Sequence, residues 1–139
     1  MSFTEQELDY LASQRIGRLA TVQPGGTLQV SPVGFHYNPD TSTIDIQGYN
    51  MAASRKFRNV ADNGKVAFVV DDVPSVDPWR VRCVEIRGRA EALDADAAQA
   101  NGLGGPTIRI RPERIISFGL GATDQDAHQL VANARDVES

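Results

Sequence analysis

The sequence predicts an α+β fold, most simply a small antiparallel β-barrel of about six strands with two main helices. Three observations predict it. Short runs rich in valine and isoleucine recur along the chain, and β-branched residues favour strands. The first three runs follow one another across short turns, as in an antiparallel meander. Helical segments do not alternate regularly with strands, and no GxGxxG follows a strand, which speaks against a dinucleotide-binding fold. A length of 139 residues fits one core, so residues 1–139 read as a single domain, with about 121–139 a polar C-terminal tail, frayed or weakly helical.

The elements follow in order. Thr4-x-x-Glu7 has the form of a capping box and Phe3 with Leu8 that of a hydrophobic staple, predicting a helix over about 4–14. Residues 18–22 read as a strand, and Gln23-Pro24-Gly25-Gly26-Thr27 as the turn after it. A second strand spans Leu28 to Tyr37, with Pro32 inside it; lacking an N–H, Pro32 belongs on an edge or at a bulge, the bulge being expected beside Gly34. A third covers Thr43 to Gly48. Asn50 to Ala61 is helical in composition, with Phe57, Val60 and Ala61 on one face, and Gly64 is placed to cap its end. Lys65 to Asp72 reads as a strand, Asp72 to Pro78 as a loop, and Trp79 to Leu93 as a long strand. After a short helical turn or two at 94–100 and a glycine-rich loop to Pro106, the segments Thr107–Pro112 and Arg114–Leu120 complete the sheet.

Bulk properties narrow the function. A net charge of −4 and a pI near 5.1 argue against a general nucleic-acid binder, which needs a basic face. No apolar stretch approaches a membrane span, the N-terminus lacks the pattern of a signal peptide, and a cytoplasmic location is the expectation. Cys83 is the one cysteine, and its alternating surroundings predict a small buried strand residue rather than a reactive thiol. His36 and His128 lie far apart, no HExxH occurs, and no metal site is expected. No G-x-S-x-G elbow surrounds Ser31 or Ser54, so nothing points to a serine hydrolase, and no catalytic acid, base or nucleophile can be named.

One region does carry chemistry. A strand ends near Gln47-Gly48-Tyr49-Asn50, and a helix carrying Ser54-Arg55-Lys56 begins shortly after it. A phosphate needs N–H donors, a hydroxyl and cations converging from one side, which a helix start with Ser-Arg-Lys supplies. A solvated Arg-Lys pair on an exposed helix face has the same pattern, so residue types alone leave both readings open.

The segments Val30-Ser31-Pro32-Val33-Gly34-Phe35, Gly48-Tyr49-Asn50 and Ser54-Arg55-Lys56-Phe57-Arg58-Asn59-Val60, in that order, resemble the pyridoxamine 5'-phosphate oxidase-like superfamily. Within it they look most like the branch that uses the deazaflavin coenzyme F420. Val81 to Glu91 and Ile110 to Phe118 are similar to that family's last strands, so the resemblance spans residues 4–120. It implies a six-stranded antiparallel split β-barrel, usually a homodimer with two cofactor sites at the subunit interface. It implies that Ser54, Arg55 and Lys56 hold the cofactor phosphate. The ring system would lie against Ser31, Pro32 and Val33, near Gln47, Gly48 and Asn50. From the partner's long strand, Trp79, Arg80 and Arg82 would contribute, although a core or interface anchor and a solvated strand face account equally for Trp79 and Arg82.

The implied activity is hydride transfer between coenzyme F420 and a small conjugated acceptor, for which the cofactor carries the chemistry and no protein nucleophile is needed. Two alternatives stand beside it: an FMN-dependent oxidoreductase of the same fold, and a non-catalytic barrel that binds a cofactor or other ligand. True pyridoxamine phosphate oxidation is disfavoured, because no match to that enzyme's C-terminal substrate-binding pattern is found. The glycine-rich stretch from Asp94 to Pro106 is shorter than the helical insertion of many relatives and is expected to border the substrate.

Overall fold

The computed structural model describes residues 2–121 and 131–138. Helix α1 (Glu5–Ser13) starts at the predicted capping box: Glu7 N–H donates to the Thr4 hydroxyl, and Thr4 N–H donates to the Glu7 carboxylate. Strands β1 (Ile16–Val22) and β2 (Leu28–Gly34) form a hairpin across the turn at Gln23–Thr27. The chain then breaks at Phe35, and β3 (His36–Asn38) pairs with β4 (Thr43–Ile46) instead. A 3₁₀ turn (Met51–Ala53) leads into α2 (Arg55–Asn63). The long hairpin β5 (Lys65–Val76) and β6 (Trp79–Leu93) follows, then α3 (Ala95–Ala100), β7 (Thr107–Phe118) and β8 (Asn133–Asp136).

Among the described residues, seven strands lie in the hydrogen-bonded order β2-β1-β5-β6-β7-β4-β3, with β8 added beside β7, and every pairing is antiparallel. The sheet curls into a half-closed barrel around Leu19, Ile44, Ile46, Phe68, Val84, Ile86, Ile108 and Ile110, all without solvent contact or nearly so. The fold class is as expected, but the count of six strands is not. The predicted second strand splits in two at Phe35, whose ring packs edge-on against Phe68. Conversely, the two predicted last strands are one, β7, bent at a register shift where Gly88 faces Pro112. Gly88 is required there, since a Cβ on it would meet the Arg111 carbonyl oxygen at 2.2 Å.

Other expectations need adjusting. The segment 72–78 is mostly strand, because β5 continues to Val76 past an irregularity between Asp72 and Ser75. Pro32 sits on the edge strand of the sheet, Gly34 ends that strand, and the β1–β2 register runs without a bulge. On α2 the buried side chains are Phe57, Asn59 and Val60, while Ala61 faces solvent. Residues 133–136, assigned to the polar tail, form β8. Arg135 anchors that strand by donating to the buried Glu7 carboxylate and the Ser2 carbonyl. His128 lies outside the described residues. No described helix is long and apolar enough to cross a membrane.

Candidate cofactor site

The start of α2 is the natural centre of the site. Ser54 caps it, accepting from Phe57 N–H at 3.2 Å while its hydroxyl donates to the Met51 carbonyl at 2.6 Å. The N–H groups of Arg55 and Lys56, first and second in the helix, have no carbonyl partner within it. They point out of the positive end of the helix, where an anion is favoured. Among the described residues, neither the Arg55 guanidinium nor the Lys56 ammonium forms an ion pair.

The helix is held against the β1–β2 hairpin by two asparagines. Asn63 donates to the Val22 carbonyl at 2.7 Å. One turn earlier, the Asn59 amide donates to Thr21 Oγ1 at 3.1 Å and to Gln29 Oε1 at 3.0 Å. Arg55 and Lys56 lie one turn before Asn59, and Ser31 lies two residues beyond Gln29 on the same face of β2. Ser31 Oγ is buried and has no hydrogen-bond partner among the described residues. Buried hydroxyls are nearly always satisfied, and this one lies on the strand to which Asn59 ties the cationic helix. These groups together suit a phosphate, as in a flavin or deazaflavin cofactor.

The remaining expected residues divide. Val33 is buried on the same strand face as Ser31, and Pro32 is exposed on the other. Gln47, just after β4, turns its amide to Thr107 Oγ1 at 3.1 Å. Gly48 and Asn50 are exposed in the turn that joins β4 to α2; the Gly48 and Asn50 carbonyls accept from Met51 and Ala53, and Asn50 takes a left-handed conformation at φ 58°. This turn ties the strand end to the Ser54 cap.

Trp79, Arg80 and Arg82 lie elsewhere in the chain. Across the sheet, Ser31 is level with Leu19, Phe68 and Ile86. Trp79 is seven residues from Ile86 along β6, about 23 Å at strand spacing. It stands 54% exposed at the tip of the β5–β6 hairpin. Arg80 is half-buried opposite Ser75. The Arg82 guanidinium is already engaged, bonding both Asp72 oxygens at 2.9 and 2.6 Å and lying 5.1 Å from the centre of the Tyr10 ring. Those Arg82 hydrogen bonds hold Asp72 below the usual carboxylate range, against a smaller effect of burial. Burial raises the Tyr10 hydroxyl, which donates to Asp72 at 2.8 Å. The network locks α1 to the base of the hairpin.

Cys83 is buried as expected, and burial pushes its thiol up to about 11, with Asp71 and Glu85 adding to the shift; it is a packing residue.

Comparison with known proteins identifies the family. A family model described as pyridoxamine 5'-phosphate oxidase matches residues 3–135. A 5a,11a-dehydrotetracycline/5a,11a-dehydrooxytetracycline reductase of Streptomyces rimosus is 47% identical over 121 residues, covering 86% of this chain and 85% of its own. Among solved structures, a conserved hypothetical protein of Mycobacterium tuberculosis superposes with a TM-score of 0.66 at 20% identity, covering 87% of this chain and 88% of its own. An FAD-binding protein of Mycobacterium smegmatis gives 0.61 at 22%, covering 84% and 96%. A protein named F420 reductase gives 0.50 at 25%, covering 70% and 86%. The chain belongs to the pyridoxamine 5'-phosphate oxidase family.

Proposed function

We propose that this protein is an oxidoreductase that uses coenzyme F420 to reduce a conjugated carbon–carbon double bond in a small organic acceptor. The observation that carries the reading is the first turn of α2, with Ser54 as its cap and Arg55 and Lys56 outside any ion pair among the described residues, on a helix tied by Asn59 to the strand that bears the orphaned Ser31 hydroxyl. The reductase from Streptomyces rimosus, whose name places its substrate among dehydrogenated tetracyclines, supports an acceptor of fused, conjugated rings.

When bound, the reduced deazaflavin supplies a hydride; the acceptor gains that hydride on one carbon of the double bond and a proton from solvent on the other. The protein's part is placement. Ser54, Arg55 and Lys56 hold the phosphate, Ser31 supplies a further hydroxyl, and the backbone at Pro32, Val33, Gln47, Gly48 and Asn50 makes the bed for the ring. Correct placement of two reactants is by itself a large share of the rate.

In this reading the protein acts in the cytoplasm as a homodimer. The outer face of β1, β2 and β5 supports the dimer, because Ile16, Leu28 and Val30 are exposed there. The same face holds a depression of about 310 Å³ lined by Ala20, Val30, Ala67 and Val69. Such a patch suits an interface. A second copy would bring the β5–β6 hairpin, with Trp79 and Arg80, toward a site they cannot reach within their own chain.

The test is turnover. With enzymatically reduced coenzyme F420 and 5a,11a-dehydrotetracycline as acceptor, the expected result is oxidation of the cofactor at a rate that depends on protein concentration. Turnover with reduced FMN and none with F420 would assign the flavin instead. Binding of F420 without turnover on any conjugated acceptor would make the protein a cofactor binder.

A further inference from the structure

The exposed large apolar side chains fall into groups. Ile16, Leu28 and Val30 lie on the β1–β2 face, Val73, Val76 and Trp79 on the β5–β6 hairpin, and Val131 shortly before β8. Tyr49 belongs to none of them. It is fully exposed, at 102% of the reference area, in the turn between β4 and α2.

An aromatic ring left wholly in water gains nothing from folding, yet the backbone that carries Tyr49 is closely fixed. Met51 N–H donates to the Gly48 carbonyl at 3.3 Å, Ala53 N–H to Asn50 at 3.1 Å and Ser54 N–H to Met51 at 3.0 Å. Met51 is buried as the anchor of the turn, and Asn50 is held in the left-handed region. The neighbours leave the ring uncovered: Gly48 has no side chain, and Gln47 is drawn away to Thr107. Tyr49 stands between Gly48 and Asn50, five residues before the Ser54 cap. A rigid mount, an open ring and its position between Gly48 and Asn50 give the bed proposed for the cofactor ring an unused aromatic neighbour.

We propose that Tyr49 is a specificity-determining residue whose ring is the wall against which the planar, conjugated acceptor packs. This rests on the cofactor site proposed above, whose ring already has its own bed in the backbone of β2 and the β4 exit. Aromatic rings attract one another through offset or edge-to-face packing beyond the area they bury. Fused-ring acceptors would therefore be selected over small ones, with no demand on the Tyr49 hydroxyl.

The experiment compares wild type, Tyr49→Ala and Tyr49→Phe in steady-state reduction of 5a,11a-dehydrotetracycline and of cyclohexenone, together with the Kd for coenzyme F420. Tyr49→Ala is expected to raise KM for the fused-ring acceptor about tenfold. Its kcat, the KM for cyclohexenone and the cofactor Kd should stay near wild type, and Tyr49→Phe should restore the fused-ring KM. Equal KM values in wild type and Tyr49→Ala would overturn the proposal. So would a uniform loss on both acceptors, or a weakened cofactor Kd. Should wild type fail to bind or turn over coenzyme F420, the cofactor reading fails separately. Tyr49 is then judged by fluorescence anisotropy of dehydrotetracycline titrated with cofactor-free protein. Weaker binding in Tyr49→Ala, restored in Tyr49→Phe, supports the role, and equal or absent binding refutes it.

Discussion

Glu7 and Asp45 are fully buried carboxylates, and each is satisfied by an arginine far away in sequence. Glu7 accepts from Thr4 N–H, the Ser117 hydroxyl and Arg135; Asp45 accepts from Thr43, Asn38 and both ends of the Arg109 guanidinium, at 3.0 and 2.9 Å. Burial opposes ionisation of both, but the arginine hydrogen bonds and those from the neighbouring groups outweigh it, so both are held below the usual carboxylate range. Groups with lowered folded values stabilise the fold above their unfolded values, and that contribution is lost as pH falls through the folded ones. Stability should thus hold near neutrality and decline on acidification below the ordinary carboxylate range. Urea midpoints measured from pH 7 to 3 check this, and a flat profile would contradict it. Asp45→Ala, which strands the buried Arg109, should cost about 3–5 kcal/mol and make the acid slope shallower. At Gly88 the obstacle is backbone rather than a movable side chain, so Gly88→Ala should lower stability by about 1–3 kcal/mol or more. A thermal melt within a degree of wild type would refute the close approach.

At the scale of elements, local signals were readable and long-range ones were not. The Thr4–Glu7 box, the Gly64 cap with φ 70° and the extent of β6 follow from neighbouring residues, and each stands where the pattern put it. Asp45, by contrast, alternates with Ile44 and Ile46 and reads as solvent-facing; it is buried because Arg109, directly across on β7, covers it. Asn59 looks like an exposed helix residue until Thr21 and Gln29 supply its partners. The continuous β7 was hidden by Pro112, which reads as a break but occupies a bend in one strand. In residue type the N-terminal turn of α2 was legible only as one of two readings, an anion site or a solvated basic pair. The orphan Ser31 hydroxyl was not legible, since its burial comes from the folded chain around β2 and not from its sequence neighbours. Strand β8 depends on Arg135 reaching Glu7. Arg135→Ala should therefore cost about 3 kcal/mol, because it leaves a buried charge unpaired. Hydrogen exchange should show faster exchange in β8 and along Arg114–Ser117 of β7, whereas unchanged protection in both would refute the anchoring role.

At the scale of the whole molecule, the sheet presents two distinct surfaces. One carries the mouth of the proposed site along β2, α2 and the β4 exit; the other is the apolar outer face around Val30. If the second is a dimer interface, Val30→Asp should shift the sedimentation coefficient to that of a monomer, and an unchanged coefficient would rule that face out. The central claim concerns the first surface, namely that the start of α2 holds a cofactor phosphate. It is tested most directly by the affinity of coenzyme F420 for wild type and for the Arg55→Ala/Lys56→Ala double variant, with circular dichroism to establish that both are folded. Charged hydrogen bonds contribute about 1.5–3 kcal/mol each, so the double variant should bind about a hundredfold more weakly or worse. Equal affinity in a folded double variant would contradict the placement of the phosphate.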